Sequence, residues 1–329
     1  MSNKIIIDVQ NLSKIFLVAS KEPGLKGTIN HFFKRKMISK KVVNNINIEI
    51  KEGEIVGFLG ANGAGKTTIL KLLCGLLYPT SGYISVAGYK PSSRKSKFLK
   101  QISLIMGQKQ QLIWDLPPID TFNLNAAIYG IDKSEADKRI RNLSEMLEIK
   151  EELFLPVRKL SLGQRMKAEL LAALIHEPSI LFLDEPTLGL DINAQNNLRE
   201  FLRKYNRETG ATILLTSHYM KDITYLCKRV LCVHEGFITY DGKLNKLLNK
   251  LSPNKNLTIV CRTEEEIKEL KYMGLDVQNI KGKQITFKIN KKDITNTLRK
   301  VLNKFDIEDL DINEPPIDEI IGKILVNKK

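Results

Sequence analysis

The sequence predicts an α/β protein. A largely parallel sheet is built around a phosphate-binding loop, carries a helical insert, and is followed by a smaller α+β domain. Three observations carry this. The stretch GANGAGKTT, residues 60–68, lies between an apolar strand and an apolar helix. Strand and helix patterns alternate from residue 4 to about residue 245, broken by a strand-poor stretch that reads as a helical insert over about 109–165. From Asn249 the texture changes, which places a boundary between residues 1–248 and 249–329.

The elements follow in order. Lys4–Gln10 and Leu12–Val18 read as strands. Residues 20–41, SKEPGLKGTINHFFKRKMISKK, are broken early by Pro23, Gly24 and Gly27. Ile29, Phe32, Phe33 and Met37 then recur at helical spacing among Lys34, Arg35, Lys36, Lys40 and Lys41. A basic amphipathic helix of that kind either lies on an acidic membrane or a partner, or packs on its own domain. Val43–Ile50 and Glu54–Leu59 are strands, and Thr68–Leu73 is a helix that the turn Tyr78–Gly82 ends. Ile102–Met106 is a strand. Helices are expected over Ile119–Tyr129 and Ser134–Leu147, the second opened by a capping box of Ser134 with Asp137. A helix from Ser161 to His176, a strand Ile180–Leu183 and a helix from Ile192 to Gly210 come next. Strands at Ala211–Leu215, Arg229–His234 and Phe237–Tyr240 complete the first domain. After the polar hinge LNKLSPNKN, a βαββαβ order spans Leu257–Asn313, the ferredoxin-like arrangement.

The loop fits G-x-x-x-x-G-K-[ST] through Gly60, Gly65, Lys66 and Thr67. Glycines let the backbone turn tightly and bring N–H groups close to a ligand. Those N–H groups and the following helix N-terminus favour an anion. Lys66 supplies a point charge for the β- and γ-phosphates, and Thr67 a hydroxyl for Mg²⁺. Ile180–Leu183 delivers Asp184 and Glu185 at the end of a buried strand. Asp184 suits Mg²⁺, and Glu185 beside it can orient or deprotonate an attacking water. Ser161 is a good N-cap, and the helix it starts can offer N–H groups to a further anion.

Composition narrows the partners. Over 329 residues, 43% are apolar and 27% charged, which are globular values. No run of about 20 apolar residues exists to span a bilayer. MSNKIIIDVQ has too short an apolar run, with Asp8 early, to read as a secretory signal. Cys74, Cys227, Cys232 and Cys261 show no ligand-pair spacing and read as reduced thiols, Cys74 as a core residue. The net charge of +15 fits a nucleic-acid binder, an anionic membrane surface, or a coding sequence rich in Lys, Asn and Ile. No basic stretch is interleaved with aromatics as a single-strand stacking platform would be.

Taken together, these motifs resemble the nucleotide-binding subunit of ATP-binding cassette (ABC) transporters. GANGAGKT is similar to that family's Walker A, ILFLDEPT (180–187) to its Walker B, and LSLGQ (160–164) to its signature. LGLD (188–191) is similar to its D-loop, TSH (216–218) to its switch histidine, and GQKQQLIWDLP (107–117) to its Q-loop region. The resemblance covers residues 1 to about 245. It implies that Gly60, Asn62, Gly63, Ala64, Gly65, Lys66, Thr67 and Thr68 wrap the phosphates of ATP. Thr67, Asp184 and Gln108 would serve Mg²⁺, Glu185 would be the general base, and His218 would contact the γ-phosphate. Ser161, Gly163 and Gln164 would face the nucleotide of an opposite subunit, with Asp191 at the dimer seam. Phe16 is the candidate aromatic to stack on adenine, the alternative being an ordinary core phenylalanine.

The implied partners are a second nucleotide-binding subunit, expected to be a copy of this chain, and a separate multi-span permease, with no nucleic acid. The implied place is peripheral, at the cytoplasmic face of the membrane. Two departures stand out: Leu162 replaces the usual signature glycine, and residues 20–41 separate Phe16 from the loop. That insertion, the Q-loop wording and the appended domain resemble ABC-2-type exporter ATPases. The alternative is a soluble ABC ATPase acting on ribosomes, nucleic acid or a protein complex. Against it, the ribosome-acting branch carries two cassettes per chain and the DNA-repair branch a long coiled coil.

Overall fold

In chain order the strands of the first part are Ile5–Ser20 (β1), Lys36–Lys51 (β2), Ile55–Leu59 (β3), Ser81–Val86 (β4), Ile102–Met106 (β5), Ile180–Asp184 (β6), Thr212–Thr216 (β7), Arg229–His234 (β8) and Phe237–Lys243 (β9). The computed structural model describes residues 4–20, 36–107, 110–217, 219–251 and 254–313. The chain divides into two units, Met1–Gly242 and Lys243–Lys329.

In the first unit, six strands form one sheet in the order β5-β6-β7-β3-β8-β9. β5, β6, β7, β3 and β8 run parallel to one another. β6 and β7 are continuous apolar runs because parallel strands are covered on both faces. Ile180, Leu181, Phe182 and Leu183 are fully buried. The C-terminal ends of β3, β6 and β7 therefore lie side by side, and each runs into one of the motifs read from the sequence.

A second sheet, antiparallel and in the order β2-β1-β4, was not foreseen. One core unites the two sheets with the helix Lys66–Leu73: Ile7, Ile46, Ile48, Ile50 and Val86 join Phe58, Ile69, Leu70, Leu73, Phe182 and Leu214. Burying each such side chain contributes about 1.5–3 kcal/mol. The two expected N-terminal strands are one strand, β1, whose register shifts around Leu12 where Asn11 takes φ 50°.

Several expectations need correction. Lys36–Lys51 is one strand, so Met37, Lys40 and Lys41 are not helical; they pair with Ala19, Phe16 and Ile15 of β1. Ile29, Phe32 and Phe33 lie outside the described residues. The loop helix ends at Leu73, capped at Cys74, and Ser81 and Gly82 already belong to β4 rather than to a turn. The second insert helix is Lys133–Leu147 with Asp132 at its N-cap and no side-chain capping bond, so the Ser134–Asp137 box does not form. Asp132 precedes Ser134 and starts the helix first. The short helix Met220–Leu226 had no reading in the sequence.

Pro118–Tyr129, Lys133–Leu147 and Leu162–Leu174 pack on one another to form the helical insert. Phe122, Ile140, Leu147, Leu170, Leu171 and Leu174 are buried there. All four cysteines are buried and free of disulfides. Among the described residues no helix is long and apolar enough to cross a membrane.

The second unit opens with the helix Leu244–Leu251, part of which the sequence reading gave to the hinge. Asn254–Cys261 (β10), helix Glu264–Lys271, Asp276–Lys281 (β11), Gln284–Asn290 (β12), helix Ile294–Lys304 and Ile307–Asn313 (β13) follow in the expected βαββαβ order. The sheet order is β11-β12-β10-β13, with every neighbour antiparallel. Alternate residues Leu257, Ile259 and Cys261 on β10 and Ile285, Phe287 and Ile289 on β12 face a core that includes Val301 and Phe305.

Candidate functional site

The loop after β3 closes on itself through a lysine. Lys66 Nζ donates to the carbonyl oxygens of Gly60 (2.7 Å) and Ala61 (3.0 Å), drawing the loop around its own ammonium. Lys66 is buried, while Ala61, Asn62 and Gly63 are exposed and Thr67 and Thr68 half-buried. Burial pushes the Lys66 pKa below the ordinary lysine value, and the charges of Glu185 and Asp184 oppose that shift. A cation held in this way gains most from a polyanion placed beside it.

Gly65 caps the helix Lys66–Leu73 with φ 110°, a conformation that L side chains rarely adopt. A Cβ there would also meet the Val42 carbonyl oxygen at 2.7 Å, so β2 runs directly against the loop. Ala64 is buried, and its carbonyl accepts from Gly236 N–H at 3.0 Å.

The strand β6 ends at Asp184, beside Thr67. The Thr67 hydroxyl donates to Asp184 Oδ1 and Oδ2 at 3.0 and 2.9 Å, and Thr216, at the end of β7, donates to Oδ1 at 2.7 Å. Glu185 takes φ 55°, in the left-handed region that costs a non-glycine residue on the order of 1 kcal/mol or more. Its N–H is held by the Thr216 carbonyl (3.2 Å) and hydroxyl (3.0 Å). Gly107, at the end of β5, donates its N–H to the Asp184 carbonyl at 2.9 Å. A Cβ on Gly107 would stand 2.2 Å from the Glu185 carbonyl oxygen, so only glycine fits. The strained acid is thus gripped from both neighbouring strands. Gln108 and His218 lie outside the described residues.

A second cluster gathers the signature and D-loop residues. Ser161 caps Leu162–Leu174: its hydroxyl accepts from Gln164 N–H (3.2 Å) and its own N–H donates to Gln164 Oε1 (2.9 Å). This is the reciprocal capping box, and the N-cap expected of Ser161 is present. Gln164 Nε2 also donates to Glu152 at 2.8 Å. Asp191 caps the helix Ile192–Thr209 by accepting from Ala194 N–H at 2.9 Å. The two caps meet: a Cβ on Gly163 would sit 3.0 Å from Ala194 Cβ, and one on Gly189 would sit 3.1 Å from Leu162 Cδ2. Leu162, the departure noted in the sequence, therefore lies over a glycine of the D-loop stretch. Ser161, Leu162 and Asp191 are exposed.

Phe16 is half-buried on β1, paired with Lys40 two residues before Val42. Lys14 Nζ stands 5.0 Å from its ring centroid.

Four residues around the site carried no role in the sequence reading. Thr216 ties Asp184 to Glu185. Glu169 is buried on the signature helix and accepts from the backbone N–H groups of Gln111 (2.9 and 3.0 Å) and Leu112 (3.2 Å). Burial raises its carboxyl above the ordinary range, against the pull of those N–H groups. Thr187 and Asp222 are buried and bonded to each other. The signal for Glu169 and Asp222 was an acid inside an apolar stretch, MKAELLAAL and DITYL, since acids are almost never fully buried unless paired.

Comparison with known proteins gives the family and the fold. A family model described as ABC transporter matches residues 43–188. The ABC transporter ATP-binding protein NatA of Bacillus subtilis is 36% identical over 214 residues, 65% of this chain and 86% of NatA. The linearmycin resistance ATP-binding protein LnrL of the same organism is 32% identical over 230 residues, 70% of this chain and 72% of LnrL. Its methionine import ATP-binding protein MetN is 32% identical over 270 residues, 79% of this chain and 78% of MetN. Among solved structures, the dimeric post-hydrolysis state of the ATP-binding cassette MJ0796, bound to ADP and Pi, superposes with a TM-score of 0.60. It is 23% identical and covers 72% of this chain and 98% of that one, a likeness of fold.

Proposed function

This chain belongs to the ABC transporter ATP-binding family, and from that premise we propose that it is the ATP-hydrolysing subunit of an ABC-2-type exporter, driving a separate permease. The observation that carries the chemistry is the convergence of Lys66, Thr67, Asp184 and Glu185 at the ends of β3 and β6. The hard oxygens of Thr67 and Asp184, already bonded to each other, suit Mg²⁺, which favours few protein ligands plus substrate phosphates. When bound there, Mg²⁺ would neutralise developing charge on the β- and γ-phosphate oxygens.

The protein's own residues do the rest. The loop N–H groups from Gly60 to Thr68 and the buried Lys66 hold the polyphosphate. Glu185 orients a water and takes its proton. By the family resemblance, Gln108 would sense the metal and the attacking water, and His218 would contact the γ-phosphate. Ser161 is exposed and Gly163 and Gln164 are half-buried beside the exposed Asp191, a surface suited to meeting the nucleotide of a second subunit. ATP then bridges two copies of the chain, and its hydrolysis removes the bridge. Phe16, next to the loop through Val42, stacks on adenine. The apolar side chains exposed around the Q-loop stretch and insert, among them Ile113, Trp114 and Phe154, are the permease-facing side at the cytoplasmic membrane surface.

Export is favoured by the Q-loop wording, the insertion after β1 and the appended domain, and a resistance protein is among the relatives. Import has one observation for it: the match to MetN runs further along the chain than those to NatA and LnrL. A mild-detergent pull-down of the tagged chain from native membranes tests the proposal. A stoichiometric multi-span protein supports it and supplies the chain whose direction of transport can be assayed. Ribosomal proteins or nucleic acid without a membrane partner contradict it.

A further inference from the structure

The helix Met220–Leu226 buries an acid completely. Asp222 is 0% exposed, and five hydroxyl, guanidinium and amide groups from three other segments converge on it and its partners. Thr187 Oγ1 and Ser217 Oγ both donate to Asp222 Oδ2 at 2.5 Å, and Arg199 Nε donates to Oδ1 at 2.6 Å. Arg199, itself buried, also donates to Asn196 Oδ1 (2.6 Å) and Gln195 Oε1 (3.0 Å), and Gln195 Nε2 donates to the Leu190 carbonyl (3.1 Å). Each end of this network stops next to a residue of the site. Thr187 is two residues past Glu185. Ser217 follows Thr216, which holds both Glu185 N–H and Asp184. Leu190 precedes Asp191.

A buried ion pair is weak evidence for stability, since a well-packed apolar replacement is often as good. A network with every member satisfied does fix one arrangement of the segments it joins. The phosphate-loop residues Gly60–Thr68 make none of these contacts.

We propose that Asp222 is a positioning residue for ATP hydrolysis: its carboxylate locks the ends of β6 and β7 and the start of the Ile192–Thr209 helix into one unit, so that the backbone of Glu185 and that of Asp191 move together. This rests on the assignment of Glu185 as general base. It gives the exposed Asp191 a mechanical connection to the interior acid, through Leu190, Gln195, Arg199, Asp222 and Thr187.

Removing Asp222 strands Arg199 and endangers the fold, so the deciding variants are milder. Thr187→Val and Ser217→Ala each delete one hydroxyl donor and keep the charge pair. In the full chain, kcat for ATP and KM are measured beside a thermal melt. The expected result is a folded protein with kcat down about tenfold, short of the ~10²-fold that a 1 Å misplacement can cost. KM stays within about twofold, because ground-state binding lies outside the network. Thr187→Ser restores the hydroxyl and recovers most of the loss. The double variant loses less than the product of the singles, since both donors share one oxygen. Wild-type kcat in both folded variants, or a raised KM with kcat unchanged, overturns the proposal, as does a Thr187→Ser variant as impaired as Thr187→Val. If the wild-type chain turns over ATP while the variants match it, the positioning role alone fails. A wild-type chain without turnover sinks the functional reading and this inference with it.

Discussion

The Thr67 hydroxyl donates to both carboxylate oxygens of Asp184, joining the first turn of the loop helix to the end of β6 across 117 residues of sequence. In the proposed metal site these two side chains would hold each other in place as Mg²⁺ ligands. Asp184→Asn keeps the shape and removes the charge. The expected outcome is ATP turnover lost at ordinary Mg²⁺ and partly regained at high Mg²⁺, read by phosphate release across a Mg²⁺ titration. EDTA should abolish turnover in the wild type. A variant with the wild-type Mg²⁺ dependence would remove Asp184 from the metal site.

Lys66 closes the loop on Gly60 and Ala61, and in the proposed function it would also present charge to phosphate. A hydrogen bond to a charged group contributes about 1.5–3 kcal/mol, so Lys66→Ala should weaken ATP binding roughly 10- to 100-fold. Calorimetric titration with ATP checks this, and unchanged affinity would contradict it.

Ser161 has a structural bond and an exposed position at once. Loss of the N-cap in Ser161→Ala should lower the unfolding free energy by about 1 kcal/mol, measured by urea denaturation. ATP affinity of the single subunit should hold, while the ATP-dependent dimer, followed by size-exclusion chromatography, should weaken. Equal dimer formation in both proteins would restrict Ser161 to capping.

Glu169 sets a pH dependence. Its carboxyl titrates higher in the folded chain than in the unfolded one because of burial. A raised folded pKa contributes stability that is full below the unfolded value, about 4.3 for Glu, and is lost as pH rises through the folded value. Glu169→Gln lacks that term. The wild-type melting temperature, relative to the variant, should therefore be highest in acid and decline as pH rises across that window. A difference that does not vary with pH would show that Glu169 titrates alike in both states.

Much of this was legible in short sequence stretches because their chemistry is local. GANGAGKTT needs only a strand before it and a helix after it. Ser161 lies three residues before Gln164, which is the whole capping box. The βαββαβ order of the second unit follows from alternation, visible on Leu257, Ile259 and Cys261. What escaped was non-local. β4 counts as a strand only because Tyr83 and Ser85 find partners on β1, some 70 residues earlier. Met37 at helical spacing was drawn into β2 by its pairing with Ala19. The Ser134 cap lost to Asp132, two residues upstream. Asp222 is marked only as the acid of DITYL, and its partners carry no sequence signal, since Thr187, Arg199 and Ser217 reach it only once β6 and β7 are side by side.

The most direct test of the account is single-turnover ATP hydrolysis by Glu185→Gln beside the wild type, with nucleotide binding and dimer formation measured in parallel. The account predicts that the variant binds ATP as tightly, accumulates as the ATP-bound dimer, and hydrolyses about 10²- to 10⁴-fold more slowly, the usual share of a general base. Hydrolysis near the wild-type rate would show that the strained acid at the end of β6 is not the base, and the mechanism built on it would not stand.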